Sequence, residues 1–327
     1  SLILDVDTFP GDNDFKMILQ NAPREVKVDN SKTKYKWDED KKILDFNIST
    51  SKLPDIAVKF DIAKFIKDHS AEGNDWMNTD LSPLELKNIY HKGYIRYKAS
   101  FEPGDAELMK IRFYEGSAKS GFSRQTMGDP AIILVNGKCV PEASGWHPRK
   151  IEFDMKDYVK QESNRIEIIM EKIGRPCGAG GWGMAEPKGL AAVTLIGSDN
   201  GKPWIKALDN WKINLGLYGQ DQGYYKPDYD DSEWQTVRLG NWKQKIQEHS
   251  DYDGIGWYRM SFELDMPHGW DIPLKLNLKV QTDALVYLNG KIAGRYNGIG
   301  WQRHFYLPSC WLNLNGKNVI ALAVRNK

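Results

Sequence analysis

Net charge is almost absent from this sequence: 45 Lys and Arg stand against 44 Asp and Glu. No broad field therefore exists to gather nucleic acid or an anionic membrane surface, and neither is expected as a partner. Cysteine is scarce. Cys139, Cys177 and Cys310 are odd in number and show no CxxC or Cys/His spacing, which excludes a zinc site and a dense disulfide framework and favours a reducing, cytoplasmic setting. Also missing is any apolar run approaching the roughly 20 residues of a membrane span. The opening Ser1-Leu-Ile-Leu-Asp-Val-Asp7 has neither the basic start nor the apolar length of a signal peptide, and with no initiating Met it reads as a piece of a longer chain. HExxH, a Walker loop and a strand-borne GxGxxG are likewise absent, so no metal, nucleotide or other cofactor is implied.

What the sequence does contain is 12 Trp and 29 Gly among short alternating or apolar runs bounded by Gly, Pro, Asn and Asp. That is the strand-and-turn signature of an all-β protein built from sandwiches and jelly rolls. With about 100–200 residues per domain, 327 residues suggest two or three domains. The first reads as a small linking β-sandwich over residues 1–70, with strands at 2–5, 15–19, 25–29, 34–38, 43–48 and 56–60. Ile62, Phe65 and Ile66 fall at helical spacing and predict one short helix over 61–69.

Internal similarity is the most informative feature. Gly93-Tyr-Ile-Arg96 is echoed by Gly256-Trp-Tyr-Arg259, and Ala131-Ile-Ile-Leu-Val-Asn-Gly-Lys138 by Ala284-Leu-Val-Tyr-Leu-Asn-Gly-Lys291. Each Asn-Gly predicts a two-residue hairpin turn, because both residues accept positive φ. Each unit closes with an apolar strand that starts at an Asn. Asn136 to Asn164 is 28 residues and Asn289 to Asn318 is 29. Two duplicated jelly rolls follow, placed at 71–199 and 200–327, the first carrying a Gly-rich loop at 174–184 on the surface where function tends to reside.

Several of these segments resemble a known family. Ser82-Pro-Leu-Glu-Leu-Lys87 followed by Gly93-Tyr-Ile-Arg-Tyr97, and the strand Lys188-Gly-Leu-Ala-Ala-Val-Thr-Leu195, are similar to the first jelly roll of family 35 β-galactosidases. Asp230-Asp-Ser-Glu-Trp234, Trp242, Gly256-Trp-Tyr-Arg259 and Leu285–Tyr296 resemble the galactose-binding-like domain shared by family 35 and family 2 glycoside hydrolases. Residues 1–62 look like the sandwich that links the catalytic barrel to these domains. The resemblance implies a C-terminal, non-catalytic region whose missing barrel belongs to the same chain and whose substrate is a galactoside.

The residues agree that catalysis is not carried here. Glycoside hydrolysis needs two carboxyl groups across the scissile bond, which the family sets on a barrel of about 250 residues alternating strand and helix. No such alternation occurs, and Asp230-Asp231 reads as a turn cap. A calcium ion held by Asp5, Asp7, Asp12, Asp14 or the Asp228–Asp231 turn is a minor alternative. Sugar contact requires an exposed aromatic ring beside hydrogen-bonding side chains. Two loop regions meet that description: Trp182 with Trp146, Arg124 and Asp129, and Trp301 with Arg303. Trp234, Trp257 and Trp311 read as core, and His147 and His304 as hydrogen-bonded structural residues. The leading expectation is an accessory part of a β-galactosidase-like hydrolase; the competing one is a stand-alone, lectin-like carbohydrate-binding module.

Overall fold

The computed structural model describes residues 11–50, 56–82, 84–103, 107–115, 129–140, 152–172, 189–240, 254–267, 272–280, 282–297 and 303–326. The chain divides into two compact units, residues 1–59 with 266–272, and residues 60–265 with 273–327.

In the smaller unit β1 (Asp12–Ile18) alternates exposed and half-buried residues, as a one-sided sheet requires. A two-residue hairpin joins β2 (Val26–Val28) to β3 (Ser31–Thr33), with Asp29 and Asn30 at φ 48° and 63°. These are followed by β4 (Tyr35–Asp38) and β5 (Ile43–Ser49), which pairs with both β1 and β4. Phe15 stacks on Phe46 at 5.5 Å across the β1–β5 ladder. The expected turn after Asp38 is held by its carboxylate, which accepts from the amides of Asp40 and Lys41. Residues 56–60, expected as a strand, form none, and the strand expected at 2–5 lies outside the described residues.

The larger unit begins with a correction. Residues 61–69 are not a helix: β6 (Ile62–Lys67) is a strand. The spacing of Ile62, Phe65 and Ile66 suits a helix, but pairing with β17 and β18 on both sides buries Ala63 and Phe65, and tertiary pairing outweighs local propensity. There follow β7 (Met77–Asn78), β8 (Gly93–Phe101), β9 (Glu107–Glu115), β10 (Ala131–Val135), β11 (Lys138–Cys139), β12 (Glu152–Asp154), β13 (Asn164–Lys172), β14 (Leu190–Asp199), β15 (Lys202–Ala207) and β16 (Lys212–Leu215). A one-turn helix α1 (Tyr218–Asp221) precedes β17 (Gln235–Arg238), β18 (Gly254–Asp265), β19 (Leu274–Asn277), β20 (Asp283–Leu288), β21 (Lys291–Asn297), β22 (His304–Leu307) and β23 (Asn315–Asn326).

These strands form two sandwiches. The first packs the sheet β12-β9-β14-β15 against β11-β10-β13-β8-β16-β7; the second packs β17-β6-β18-β23-β20-β21 against β19-β22. Strand pairing crosses the sequence divisions drawn at residues 70 and 199. β6 is inserted between β17 and β18 of the second sandwich, while β15 and β16 complete the two sheets of the first. The chain thus passes between sandwiches at 68–76 and again at 216–231.

The two six-stranded sheets also share a core on their remaining faces. Along β10, Ala131, Ile133 and Val135 point into the first sandwich, while Ile132 and Leu134 join Tyr94, Ile169, Trp257, Leu285, Tyr287, Ala321 and Ala323 in a cluster between the sandwiches. This explains the unbroken apolar runs 131–135 and 284–288: both faces of those strands are covered.

Candidate functional site

The duplication is visible atom by atom at the Asn-Gly turns. Asn136 and Asn289 have φ 52° and 46°, followed by Gly137 and Gly290 at 80° and 83°, as a two-residue hairpin demands. Asn136 Nδ2 donates to Asn164 Oδ1 at 2.8 Å, and Asn289 Nδ2 to Asn318 Oδ1 at 2.8 Å. Asn164 then closes its own turn by accepting from the Lys160 amide and donating to the Lys160 and Glu162 carbonyls. Asn318 repeats this with Asn313 and Gly316. The matched spacing in the sequence is therefore the spacing of one buried Asn–Asn clasp.

The opening strands depart from the equivalence expected of them. Phe101 lies opposite Asn164 and Phe262 opposite Asn318, so Arg96 occupies the place of Trp257, and Lys98 that of Arg259. The sequence match at Gly-x-x-Arg is offset by two residues, a shift that leaves every side chain on its original face.

On those faces sits a buried polar network. Arg96, 1% exposed, donates through Nε to Gly216 O at 2.9 Å, through Nη1 to Ser70 O and Glu72 O at 3.2 and 3.1 Å, and through Nη2 to Asp221 Oδ2 at 2.7 Å. One guanidinium thereby grips both crossover segments. Burial lowers the Arg96 pKa and raises that of Asp221, each opposed by the charge of the other. Asp68 Oδ2 accepts from Trp257 Nε1 and the Gly219 amide, both at 2.8 Å, and burial again pushes its pKa up. Arg259, two residues beyond Trp257 on β18, does similar work, reaching Asp231 and the carbonyls of Tyr224, Lys226 and Tyr229.

A second charged group lies between the sandwiches. Glu171 on β13 is 2% exposed and faces Arg295 of β21 at 3.4 Å, with Asp283 and Arg325 paired close by and the Tyr94 hydroxyl beside it. Neither Glu171 oxygen accepts a hydrogen bond among the described residues. Burial, followed by the attraction of Arg295 in the opposite sense, sets its pKa at about 7.

These buried carboxylates are engaged with internal partners: Asp68 with Trp257, Glu167 with Ser70 and Arg165, Glu171 with Arg295, and Asp283 with Arg325. Asp230 accepts from the Ser232 amide as the expected turn cap, and Asp231 holds Arg259. Asp12 and Asp14, considered for calcium, accept from Ser49 and Asn47 of the neighbouring strand, and among the described residues no group of three His, Cys, Asp or Glu side chains is placed to hold a metal. Asp5 and Asp7 lie outside the described residues.

Of the residues singled out for sugar contact, Trp182, Trp146, Arg124 and Trp301 lie outside the described residues, as does the Gly-rich loop. Asp129 is fully buried at the foot of β10, which removes it from any exposed rim. Arg303 is exposed at the start of β22. Trp257 and Trp234 are buried, as expected, but in the core between the sandwiches, and Trp311 is half-buried. His304 differs from expectation: it is exposed and has no partner among the described residues. An open cleft of about 550 Å³ beside β7 and β16 is lined by Asn78, Asp80, Lys87, Asp209, Asn210 and Lys212. Its one ring, Trp211, is 1% exposed and offers no stacking face.

An all-β region of duplicated sandwiches, whose buried acids among the described residues face internal partners, has the build of an accessory part of a larger protein. Comparison with known proteins gives the family. Residues 218–327 match the family described as "Beta-galactosidase second all-beta domain". The chain is 35% identical over 310 residues to "Beta-galactosidase A" of Aspergillus niger, covering 83% of this chain and 28% of that protein. To "Beta-galactosidase A" of Aspergillus oryzae it is 30% identical over 265 residues, covering 72% and 24%. The chain thus spans about a quarter of the length of the curated relatives it matches. Among solved structures, the α-L-rhamnosidase of Streptomyces avermitilis covers 89% of this chain at 16% identity with a TM-score of 0.28, too low to define a shared arrangement. The chain belongs with the C-terminal, all-β region of family 35 β-galactosidases.

Proposed function

We propose that this region serves a β-galactosidase-like glycoside hydrolase as a non-catalytic brace, its sandwiches supporting a catalytic barrel carried elsewhere in the same protein. The observation that carries this reading is identity at 35% across most of the chain with a relative more than three times its length. The buried acids of the sandwiches support it, because those among the described residues are paired internally. Trp182, Trp146, Arg124, Trp301 and Arg303 remain the proposed points of contact with a galactoside. Asp129, being enclosed, is withdrawn from that set.

The test is deletion of this region from the complete protein. The barrel left behind is expected to lose at least tenfold in kcat/KM toward a β-galactoside, or to melt at least 5 °C lower. Unchanged activity and melting temperature would overturn the bracing role. Titration of the isolated region with galactose and lactose, alongside a Trp182→Ala variant, tests the sugar contact separately: saturable heat lost in the variant supports it.

A further inference from the structure

The outer face of β19 and β22 carries a set of side chains without side-chain partners among the described residues. Their ladder places Lys275 opposite Tyr306 and Asn277 opposite His304. The inward partners Phe305 and Leu307 are 4% and 7% exposed, fixing the alternate residues outward; Tyr306 is 72% exposed. Phe305 is held where it is by Gly294 of β21, whose added β-carbon would lie 2.4 Å from the Phe305 ring. The strand is therefore unable to turn its tyrosine inward without ejecting a core phenylalanine.

Lys275, Asn277, His304 and Tyr306 are all exposed, as are Lys279 and Arg303 just beyond the ladder. None of these six side chains makes an ion pair, side-chain hydrogen bond or ring contact among the described residues. No Asp or Glu occurs within 272–280 or 303–307. Lysines on a short sheet guard its edges against pairing with other chains, but that purpose does not account for an outward tyrosine directly across from one of them. Directly opposed residues on a ladder hold their β-carbons about 5 Å apart, so a cation and a ring can grip one ligand together. From Lys275 to Lys279 is about 13 Å of extended chain, enough to pass more than one ring of an oligosaccharide.

We propose that this face binds an anionic oligosaccharide. The apolar face of a pyranose stacks on Tyr306, its carboxylate or sulfate is met by Lys275, Lys279 and Arg303, and its hydroxyls by Asn277 and His304. The inference rests on the reading of this region as part of a carbohydrate-active enzyme and adds a charge class that a galactoside alone does not require.

The experiment is calorimetric titration of the 327-residue chain with trigalacturonate, a sulfated galactotriose and neutral galactotriose, repeated with Tyr306→Ala and Lys275→Glu. Saturable binding of at least one anionic trisaccharide is expected, at least tenfold tighter than the neutral one and weakened at least tenfold by each substitution. Which anion binds tells carboxylate from sulfate recognition. Equal affinity for the neutral sugar, binding that survives Tyr306→Ala, equal binding of an oligoglutamate, or no heat at millimolar ligand would each overturn the proposal. Because the deletion test reads the barrel, failure here with a positive deletion result leaves the brace intact and removes only this site.

Discussion

Replacing Arg96 by Met removes four hydrogen bonds from a fully buried side chain while keeping its length and much of its apolar stem. Left behind are the carbonyls of Gly216, Ser70 and Glu72 and the Asp221 carboxylate. Hydrogen bonds to a charged group contribute about 1.5–3 kcal/mol each, but they are not additive, and the ends of both crossover segments admit water. Breaking a buried charged network by deleting one partner costs about 3–5 kcal/mol. At roughly 2–4 °C per kcal/mol for a unit of this size, Arg96→Met should melt about 6–20 °C lower in a thermal scan. Arg96→Lys should fall between, since an ammonium cannot reproduce a planar fork aimed at two segments. Arg112→Met is the control. Its partner Glu152, which also pairs with Lys110, lies with it on a half-exposed sheet face, where ion pairs contribute about 1 kcal/mol or less. Hydrogen exchange should localise the Arg96→Met effect to the amides of 68–72 and 216–221. A melting temperature within 2 °C of wild type, or a loss no larger than that of Arg112→Met, would refute the clamp.

Glu171 gives a pH dependence of defined sign. Its folded pKa is raised from 4.5 to about 7, so the folded state holds a proton that the unfolded state has released; stability is greatest below pH 4.5 and falls until pH 7. The difference is about 3 kcal/mol at 1.36 kcal/mol per unit. Urea midpoints at pH 5 and pH 7.5 should show it, and Glu171→Gln should abolish most of it; an unchanged slope in the variant would contradict the assignment. Gly219→Ala would set a β-carbon 2.3 Å from Trp257 Nε1 and 2.4 Å from the Tyr224 ring. A loss of about 1–3 kcal/mol is expected by chemical denaturation, as for overpacking elsewhere in protein cores. Asn164→Ala and Asn318→Ala each open one clasp by removing a buried Asn and its four hydrogen bonds, costing about 2–3 kcal/mol apiece; a large difference between them would show that the two turns are not equivalent.

The duplicated turns were legible because a hairpin of this type constrains residue identity: Asn and Gly tolerate positive φ, and each clasp fixes its second Asn at a set distance along the chain. The strand at 62–67 was not legible. Its three apolar residues fall on a helical stripe and on no single strand face, and the partners that make it a strand by burying Ala63 and Phe65, β17 and β18, lie about 170–190 residues further on. The same remoteness hid the exchange of strands between sandwiches. Runs such as 131–135 signalled burial on both faces, yet burial against a second sandwich looks no different in sequence from burial within one. Arg96 and Arg259 are legible as a repeat but not as clamps, because their acceptors are mostly backbone carbonyls, which carry no residue signature. Tyr306 carries no signal of its own in the sequence, because its outward direction is set by the burial of Phe305 and Leu307 on either side.

The most direct test of the central claim is hydrolysis of a chromogenic β-galactoside by the complete protein and, at equal molarity, by this 327-residue chain alone. The complete protein is expected to turn the substrate over, and the isolated chain to release no chromophore above buffer. Saturable turnover by the isolated chain that persists through repurification would show that its carboxylates catalyse after all, and the accessory role would be wrong.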